Sequence, residues 1–229
     1  MTSTFQTALT AGIETLGLEC SAAQLELLLR YHELLLKWNS AFNLVSGGEL
    51  NQLVSRHFLD SLAIQPYLDG ENILDIGTGA GFPGIPLAVL NPDKNFVLLD
   101  SNGKKTRFLF QVQLALQLDN ITIENCRVEH YQSPGQIDIV TCRAFASLAE
   151  VLIKAQSFFL DGAQLLAMKG RFPNAEIEEL TSIVITNNKT DLTATPELIA
   201  THQLTIPGND SERHLIAVKL MHRQTHAQQ

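Results

Sequence analysis

Asn72-Ile73-Leu74-Asp75-Ile76-Gly77-Thr78-Gly79-Ala80-Gly81-Phe82-Pro83-Gly84-Ile85-Pro86-Leu87 is the stretch that decides how this chain is read. A short apolar run ends in an acid and breaks into glycines, which is how a buried parallel strand passes into a helix whose N-terminal amides face a ligand. Gly77 and Gly79 suit a backbone at positive φ that approaches a nucleotide-like ligand closely. Asp75 stands where its carboxylate either orients the turn or meets a cationic part of that ligand. Pro83 and Pro86 have no N–H to donate and suit a first helical turn. A glycine-rich turn that serves packing alone is the competing reading.

Outward from this elbow, the chain alternates strand, turn and helix from Glu71 on. Strands are expected at Asn72–Ile76, Phe96–Asp100, Ile121–Ile123, Ile137–Cys142 and Leu165–Met168, with helices at Lys104–Leu118 and Ser147–Phe159. Such alternation implies right-handed βαβ crossovers and an α/β fold with a mostly parallel, doubly wound sheet covered on both faces. Ser182–Ile185 and His214–Leu220 supply a sixth and a seventh strand, and polar Asn187–Pro196 between them reads as an exposed loop. Residues 221–229 carry no apolar period and read as a disordered tail.

Upstream, Ser21-Ala22-Ala23-Gln24 is a capping box. The helix it opens places Leu25, Leu28, Leu29, His32, Leu35 and Leu36 on one face and ends at Asn39-Ser40. Asn51–Tyr67 reads as another helix, stopped near Pro66. Three segments are therefore expected: a helical extension (1–69), a sheet domain (70–220) and the tail (221–229). The extension is too small to bury a core alone and must pack on the sheet domain.

Composition narrows the class. Across 229 residues, 45% of them hydrophobic, no apolar run approaches the length a membrane helix needs, about 20 residues. Met1–Thr10 lacks the features of a signal peptide. Cys20, Cys126 and Cys142 are odd in number and form no CxxC, so neither a disulfide framework nor a metal site is expected, and a reducing cytoplasm is the simplest home. A net charge of −8 argues against a protein that coats nucleic acid, but a local basic face remains compatible with it.

Three ligands compete for the elbow. A P-loop requires Gly-Lys-Ser/Thr, and here Gly81 is followed by Phe82-Pro83. A dinucleotide fold requires GxGxxG directly after the strand; Gly79–Gly84 matches that pattern two residues late, and Phe82 stands where the third glycine belongs. The third ligand is S-adenosylmethionine (AdoMet). Asp75-Ile76-Gly77-Thr78-Gly79-Ala80-Gly81 resembles motif I of the class I methyltransferases, and Asp100 resembles their ribose-binding acid, although it could equally cap the turn Ser101-Asn102-Gly103.

Further words stand in order around these: Asn43-Leu44, Arg56-His57-Phe58-Leu59-Asp60-Ser61-Leu62, Leu98-Leu99-Asp100-Ser101, Arg143-Ala144-Phe145-Ala146-Ser147-Leu148, Lys169-Gly170 and Arg213-His214-Leu215. From about Trp38 to Lys219 the chain resembles the bacterial 16S ribosomal RNA guanine-N7 methyltransferases, the glucose-inhibited division protein B family. The resemblance implies a Rossmann-like class I fold, AdoMet as cofactor, and methylation of guanine-527 in the small ribosomal subunit. It also implies cofactor contacts at Gly77, Phe82, Val128, Glu129 and Arg143, to which motif I adds Gly79 and Gly81, and the ribose-binding acid adds Asp100. Glu129 as a solvated carboxylate and Arg143 in an internal ion pair are the alternatives.

Guanine N7 has a lone pair and no proton, so its methylation needs alignment and no general base. The chain agrees in lacking the Asn/Asp-Pro-Pro-aromatic word of amino-directed methyltransferases, and Cys142 lacks the Pro-Cys context of a cytosine nucleophile. RNA contacts are expected from Lys104, Lys105, Arg107, Lys169 and Arg171 at strand ends that share one rim, and through the resemblance from Arg56, His57 and Arg213. A solvated surface charge is the alternative for each. The partner is then 16S rRNA, the small subunit or its assembly intermediate, with no membrane contact; the oligomeric state is open in the sequence, a monomer being the simplest expectation. Two other functions stay open: an NAD-linked oxidoreductase, and a non-catalytic RNA-binding or assembly module on the same fold.

Overall fold

The computed structural model describes residues 2–46, 52–187 and 192–223. Eight strands form one sheet in the order β3-β2-β1-β4-β5-β8-β7-β6. β1 (Asn72–Ile76), β2 (Asn95–Leu99), β3 (Ile121–Glu124), β4 (Ile139–Arg143) and β5 (Gln164–Lys169) run parallel, with β1 between β2 and β4. β8 (His214–Arg223) returns antiparallel beside β5, then β7 (Leu192–Gln203) and the short β6 (Ile185–Asn187), each antiparallel to its neighbour. Strand order reverses between β1 and β4, and a parallel sheet opens a crevice at the carboxyl ends there.

Neighbouring residues of β1, β2, β4 and β5 enter opposite cores, as the period of two requires. Ile73, Leu98, Ile139 and Leu166 pack beneath α1 (Thr2–Thr15), α2 (Ala22–Phe42), α4 (Gly84–Leu90) and α5 (Gly103–Leu116). Leu74, Leu99, Val140 and Leu165 pack with α6 (Leu148–Lys154), α7 (Gln156–Leu160) and α8 (Asn174–Leu180). The helical extension has no core of its own: Leu28, Tyr31, Leu35, Phe58 and Leu62 share one cluster with α4, α5 and the sheet. Each such side chain contributes about 1.5–3 kcal/mol by leaving water, so the extension is held as firmly as the sheet's own helices.

The Ser21–Gln24 capping box opens α2 as expected. The helix passes Asn39 and stops at Phe42, because Asn43 takes the left-handed conformation (φ 47°) and its N–H returns to the Asn39 carbonyl at 3.1 Å. The buried Asn39 side chain instead accepts the Val45 N–H at 2.8 Å, which shapes the turn through Leu44–Ser46. Asn51 lies outside the described residues. The helix expected to follow it is a π-helical segment, Val54–Leu59, that tightens into one α turn, α3 (Asp60–Leu62), and a 3₁₀ turn at Gln65–Tyr67. α1 was not anticipated; it docks by stacking Phe5 on His32 at 3.6 Å between ring centroids, and burial lowers the His32 pKa to about 4.

Two expectations at the far edge of the sheet are corrected. Of the loop expected over Asn187–Pro196, residues 188–191 lie outside the described residues, and the remainder is strand: β7 starts at Leu192 and runs through Pro196. β6 pairs only with Leu192–Ala194, so β7 is an edge beyond that point, where proline is tolerated. β8 likewise continues to Arg223, paired with Thr193, so residues 221–223 belong to the sheet; residues 224–229 lie outside the described ones.

Candidate active site

The elbow is built as its glycines require. Gly77, Gly79 and Gly81 all have positive φ (69°, 65° and 102°), and the N–H groups of Gly77 and Thr78 reach back to the Leu99 carbonyl at 2.8 and 3.2 Å. Asp75 proves to be the orienting group: its fully buried Oδ2 accepts the N–H of Gly84, the first residue of α4, at 2.9 Å. Burial raises the Asp75 pKa to about 6. Asp100 fastens the other side of the loop, with Oδ2 accepting the Gly79 N–H at 2.9 Å and Oδ1 accepting the Asn102 N–H at 2.8 Å. It therefore caps the turn after β2 and braces the elbow together. The glycines divide by role. A Cβ on Gly81 would stand 2.6 Å from Ile85 and 3.1 Å from the Tyr31 hydroxyl, whereas one on Gly79 would meet nothing closer than 3.8 Å. Gly81 is required for packing, and Gly79 faces open space.

A cavity of about 560 Å³ adjoins the elbow. Its lining comes from the Gly77–Ala80 loop and Phe82, from Cys142–Ala146 after β4, and from Met168–Gly170 after β5. The extension adds Leu44–Ser46, Arg56, His57 and Asp60; Lys105 and Arg213 complete it. Arg213 reaches the same rim because His214, which opens the antiparallel β8, pairs with Lys169 at the carboxyl end of β5. Among the described residues five cations (Arg56, Lys105, Arg143, Lys169 and Arg213) face this space against one carboxylate, Asp60, in a protein of net charge −8.

Asp60 organises one wall. Its Oδ2 accepts from Arg143 at 3.1 Å and its Oδ1 from the Arg213 Nε at 2.8 Å. Arg143 also donates to the Arg56 carbonyl at 2.9 Å and meets the His57 Nδ1 at 2.8 Å, while its guanidinium lies 5.4 Å from the centre of the Phe82 ring. Arginine is only a donor, so His57 accepts at Nδ1 and carries its proton on Nε2. On the opposite wall Lys169 is held by Glu176 at 2.8 Å and the Ala146 carbonyl at 3.0 Å. Phe145, 39% exposed, covers Gly77: a Cβ there would lie 2.5 Å from the ring. The residue before it, Ala144, takes φ 49°, an uncommon conformation for a residue other than glycine.

The expected site residues thus separate. Gly77, Gly79, Phe82, Arg143, Arg56, His57, Lys105, Lys169 and Arg213 converge on the cavity. Gly81 and Asp100 shape the elbow without lining the cavity. Val128 is buried in the second core and Glu129 is exposed on the 3₁₀ turn beside it, both off the cavity lining. Lys104, Arg107 and Arg171 are exposed and also off that lining. Arg143, expected at the cofactor, is engaged by the internal ion pair with Asp60 that was its alternative. Cys142 is buried and its thiol is pushed up to about 12, which leaves it no nucleophilic character at neutral pH. The packed His214 donates from Nδ1 to the Gly170 carbonyl at 2.8 Å. Among the described residues no group of histidine, cysteine and carboxylate side chains is arranged to hold a metal.

Five parallel strands continued by an antiparallel β8, with a glycine elbow at the switch point, define a Rossmann-like methyltransferase fold. Two solved structures share it. Pyrococcus horikoshii TYW2, in complex with MeSAdo, is 13% identical and superposes with a TM-score of 0.52 over 72% of this chain and 62% of that one. Ribosomal protein L11 methylase from Lactobacillus delbrueckii subsp. bulgaricus is 14% identical, with a TM-score of 0.51 over 72% and 77%. Within this class the chain belongs to the GidB family, rRNA small subunit methyltransferase G, whose model matches residues 24–205. That match takes in α2 and the π-helical segment, so most of the helical extension is part of the family unit. Ribosomal RNA small subunit methyltransferase G of Nitrosococcus oceani is 42% identical over 96% of this chain and 97% of its own length. The protein of the same name from Alteromonas mediterranea is 43% identical over 93% and 95%.

Proposed function

We propose that this protein binds AdoMet at the elbow and transfers its methyl group to a guanine N7 of 16S rRNA in the small ribosomal subunit, guanine-527 by the family resemblance. The supporting observation is the cation-rich cavity set directly beside the glycine elbow of an otherwise acidic protein. Membership of the rRNA small subunit methyltransferase G family favours this over an NAD-linked oxidoreductase.

The residues present fit the cofactor. Gly77 and Gly79 keep the loop at positive φ, and Gly79 opens onto space that a nucleoside's approach requires. The backbone at Gly77–Gly79, with Phe82, Asp100, Val128 and Glu129 at or beyond the carboxyl ends of β1, β2 and β3, would hold it. Bound AdoMet supplies an electrophilic methyl, and the positive charge that leaves its sulfur arrives on the guanine ring, so no proton need be removed.

The remainder of the site suits alignment of an RNA base. Asp60 is committed to two arginines and the Cys142 thiol stays protonated, so neither offers a base. Arg56, Arg143, Lys169 and Arg213 line the β4–β5–β8 half of the rim, where they would hold RNA phosphates. Phe145 lines the cavity beside Gly77, where its ring would offer a base a stacking partner. Lys104, Arg107 and Arg171, outside the cavity, would add only long-range attraction. Among the described residues no helix is long and apolar enough to cross a membrane.

The test is methyl transfer from labelled AdoMet to small subunits that lack the modification, followed by mapping of the methylated base. Label at one guanine, sensitive to N7-directed cleavage, is expected. Label elsewhere, or RNA association without incorporation, defeats the proposal; uptake of NADH in place of AdoMet would restore the oxidoreductase.

A further inference from the structure

Asp60 is a buried carboxylate that the alignment chemistry above does not use. It is 2% exposed, lies in the one-turn helix α3 of the extension, and faces the cavity. Each of its oxygens is given to a different arginine from a different part of the chain: Arg143 at the end of β4, and Arg213 just before β8. The arginine side chains remain about one-fifth exposed, on the side that opens to the cavity.

We infer that Asp60 is a positioning residue for the RNA substrate: it holds Arg143 and Arg213 side by side so that the two guanidiniums meet one phosphodiester group next to the target guanine. The inference rests on the RNA-methylation reading above. Two guanidiniums in a half-buried wall repel each other, and a carboxylate between them is what keeps them together. The three groups leave one net positive charge facing the cavity, matched to one phosphate. Arginine's planar fork suits that ligand, and each guanidinium keeps N–H donors beyond those given to Asp60, the Arg56 and Glu212 carbonyls and His57. Arg143 is fixed on its remaining side by the Arg56 carbonyl and His57, so Arg213 is the member most dependent on Asp60. Its second anchor is the carbonyl of its own neighbour, Glu212, at 2.8 Å.

Asp60→Asn separates this role from simple charge. Removing a negative group from a cationic cavity should by charge alone tighten RNA binding. If Asp60 positions the arginines, the asparagine amide can accept from one of them but turns its NH₂ toward the other, and binding weakens. Asp60→Asn is therefore expected to raise the KM for unmodified small subunits about tenfold, with the AdoMet dissociation constant within twofold of wild type by calorimetry. The slope of log affinity against log salt should fall by about one phosphate contact's worth, ~0.7–0.9. An unchanged or lowered KM overturns the inference.

Arg213→Gln, at the rim, keeps the Asp60–Arg143 pair and guards against a variant that fails to fold. It should lose the same salt slope, and adding Asp60→Asn to it should cost less than threefold more. Full additivity, or an unchanged slope in Arg213→Gln, also overturns the inference. Should wild-type enzyme methylate no subunit at all, the functional reading fails first and the role of Asp60 falls with it.

Discussion

The Tyr31 hydroxyl donates to the carbonyl of Ala80 at 2.6 Å, and both groups are buried. A residue of the helical extension thereby fixes the backbone of the glycine loop, 49 positions away in sequence. Tyr31→Phe strands the Ala80 carbonyl in an apolar setting, with Phe58, Phe82 and Phe108 around the ring. A loss of about 1–3 kcal/mol is expected by urea denaturation, with weaker AdoMet binding because the loop loses its brace. Unaltered cofactor affinity at reduced stability would show that the loop holds its shape without α2.

The glycines should part company on substitution. Gly81→Ala forces a methyl against Ile85 and Leu109 at φ 102° and is expected to destabilise the fold by about 2–4 kcal/mol, combining steric and backbone strain. Gly79→Ala meets open space, so its stability cost should stay near 1 kcal/mol, the backbone share alone. Its effect should fall instead on AdoMet affinity, by tenfold or more. Thermal melts and calorimetry on the two proteins check the division; equal melts would refute it.

How far this organisation could be read from the sequence depends on burial. β1 to β5 fall within two residues of their expected bounds: β1, β2, β4 and β5 leave apolar runs because both their faces are buried, while the edge strand β3 shows only Ile121 and Ile123 on either side of exposed Thr122. β7 escaped notice because an edge strand is half wet: Thr193, Thr195, Glu197 and Thr201 alternate in a segment that also holds Pro196. α1 escaped although Phe5, Leu9 and Ile13 carry helical spacing and Ser3-Thr4-Phe5-Gln6 has the pattern of a capping box. At the site, the glycine elbow, Lys105, Arg143 and Lys169 were legible as residue types at strand ends, whereas Arg56 and Arg213 came only through the family resemblance. Asp60 was visible only as one letter of a longer word, Arg56–Leu62. Its pairing with Arg143 and Arg213, 83 and 153 positions away, belongs to the tertiary fold. Phe145 stood only as one letter of the word Arg143–Leu148, and the turn that brings it over Gly77 includes Ala144 at positive φ, which nothing in an Arg-Ala-Phe-Ala word announces.

Asp75 should make stability depend on pH. Its folded-state pKa, about 6, is above its ordinary value of 3.8 because burial disfavours the charge. The folded protein therefore binds this proton more tightly than the unfolded chain does. The stability gained is complete below about pH 4 and is lost as pH rises through 6. A shift of roughly two units corresponds to about 3 kcal/mol. Asp75→Asn carries no such charge and keeps an oxygen for the Gly84 N–H. Relative to wild type it should gain stability progressively between pH 4 and 6 and hold that gain above. A difference between the two proteins that is flat from pH 4 to 8 would rule this out.

Lys104 and Lys105 are neighbours in sequence with different settings, so paired substitutions can trace where RNA runs. Lys105 lines the cavity and lies 3.7 Å from Asp100, the acid that braces Gly79. Lys104 is exposed on α5 and off that lining. Lys105→Ala should raise the KM for small subunits several-fold and lower the salt slope by about one contact, ~0.7–0.9. Its effect on AdoMet should stay within about fivefold, since a partly exposed ion pair contributes at most about 1 kcal/mol. Lys104→Ala should leave the KM within twofold, because a solvated charge outside the cavity adds to encounter more than to the docked complex. Equal losses from both substitutions would place the RNA along the outer face of α5, and the cavity would then hold only the nucleotide being methylated.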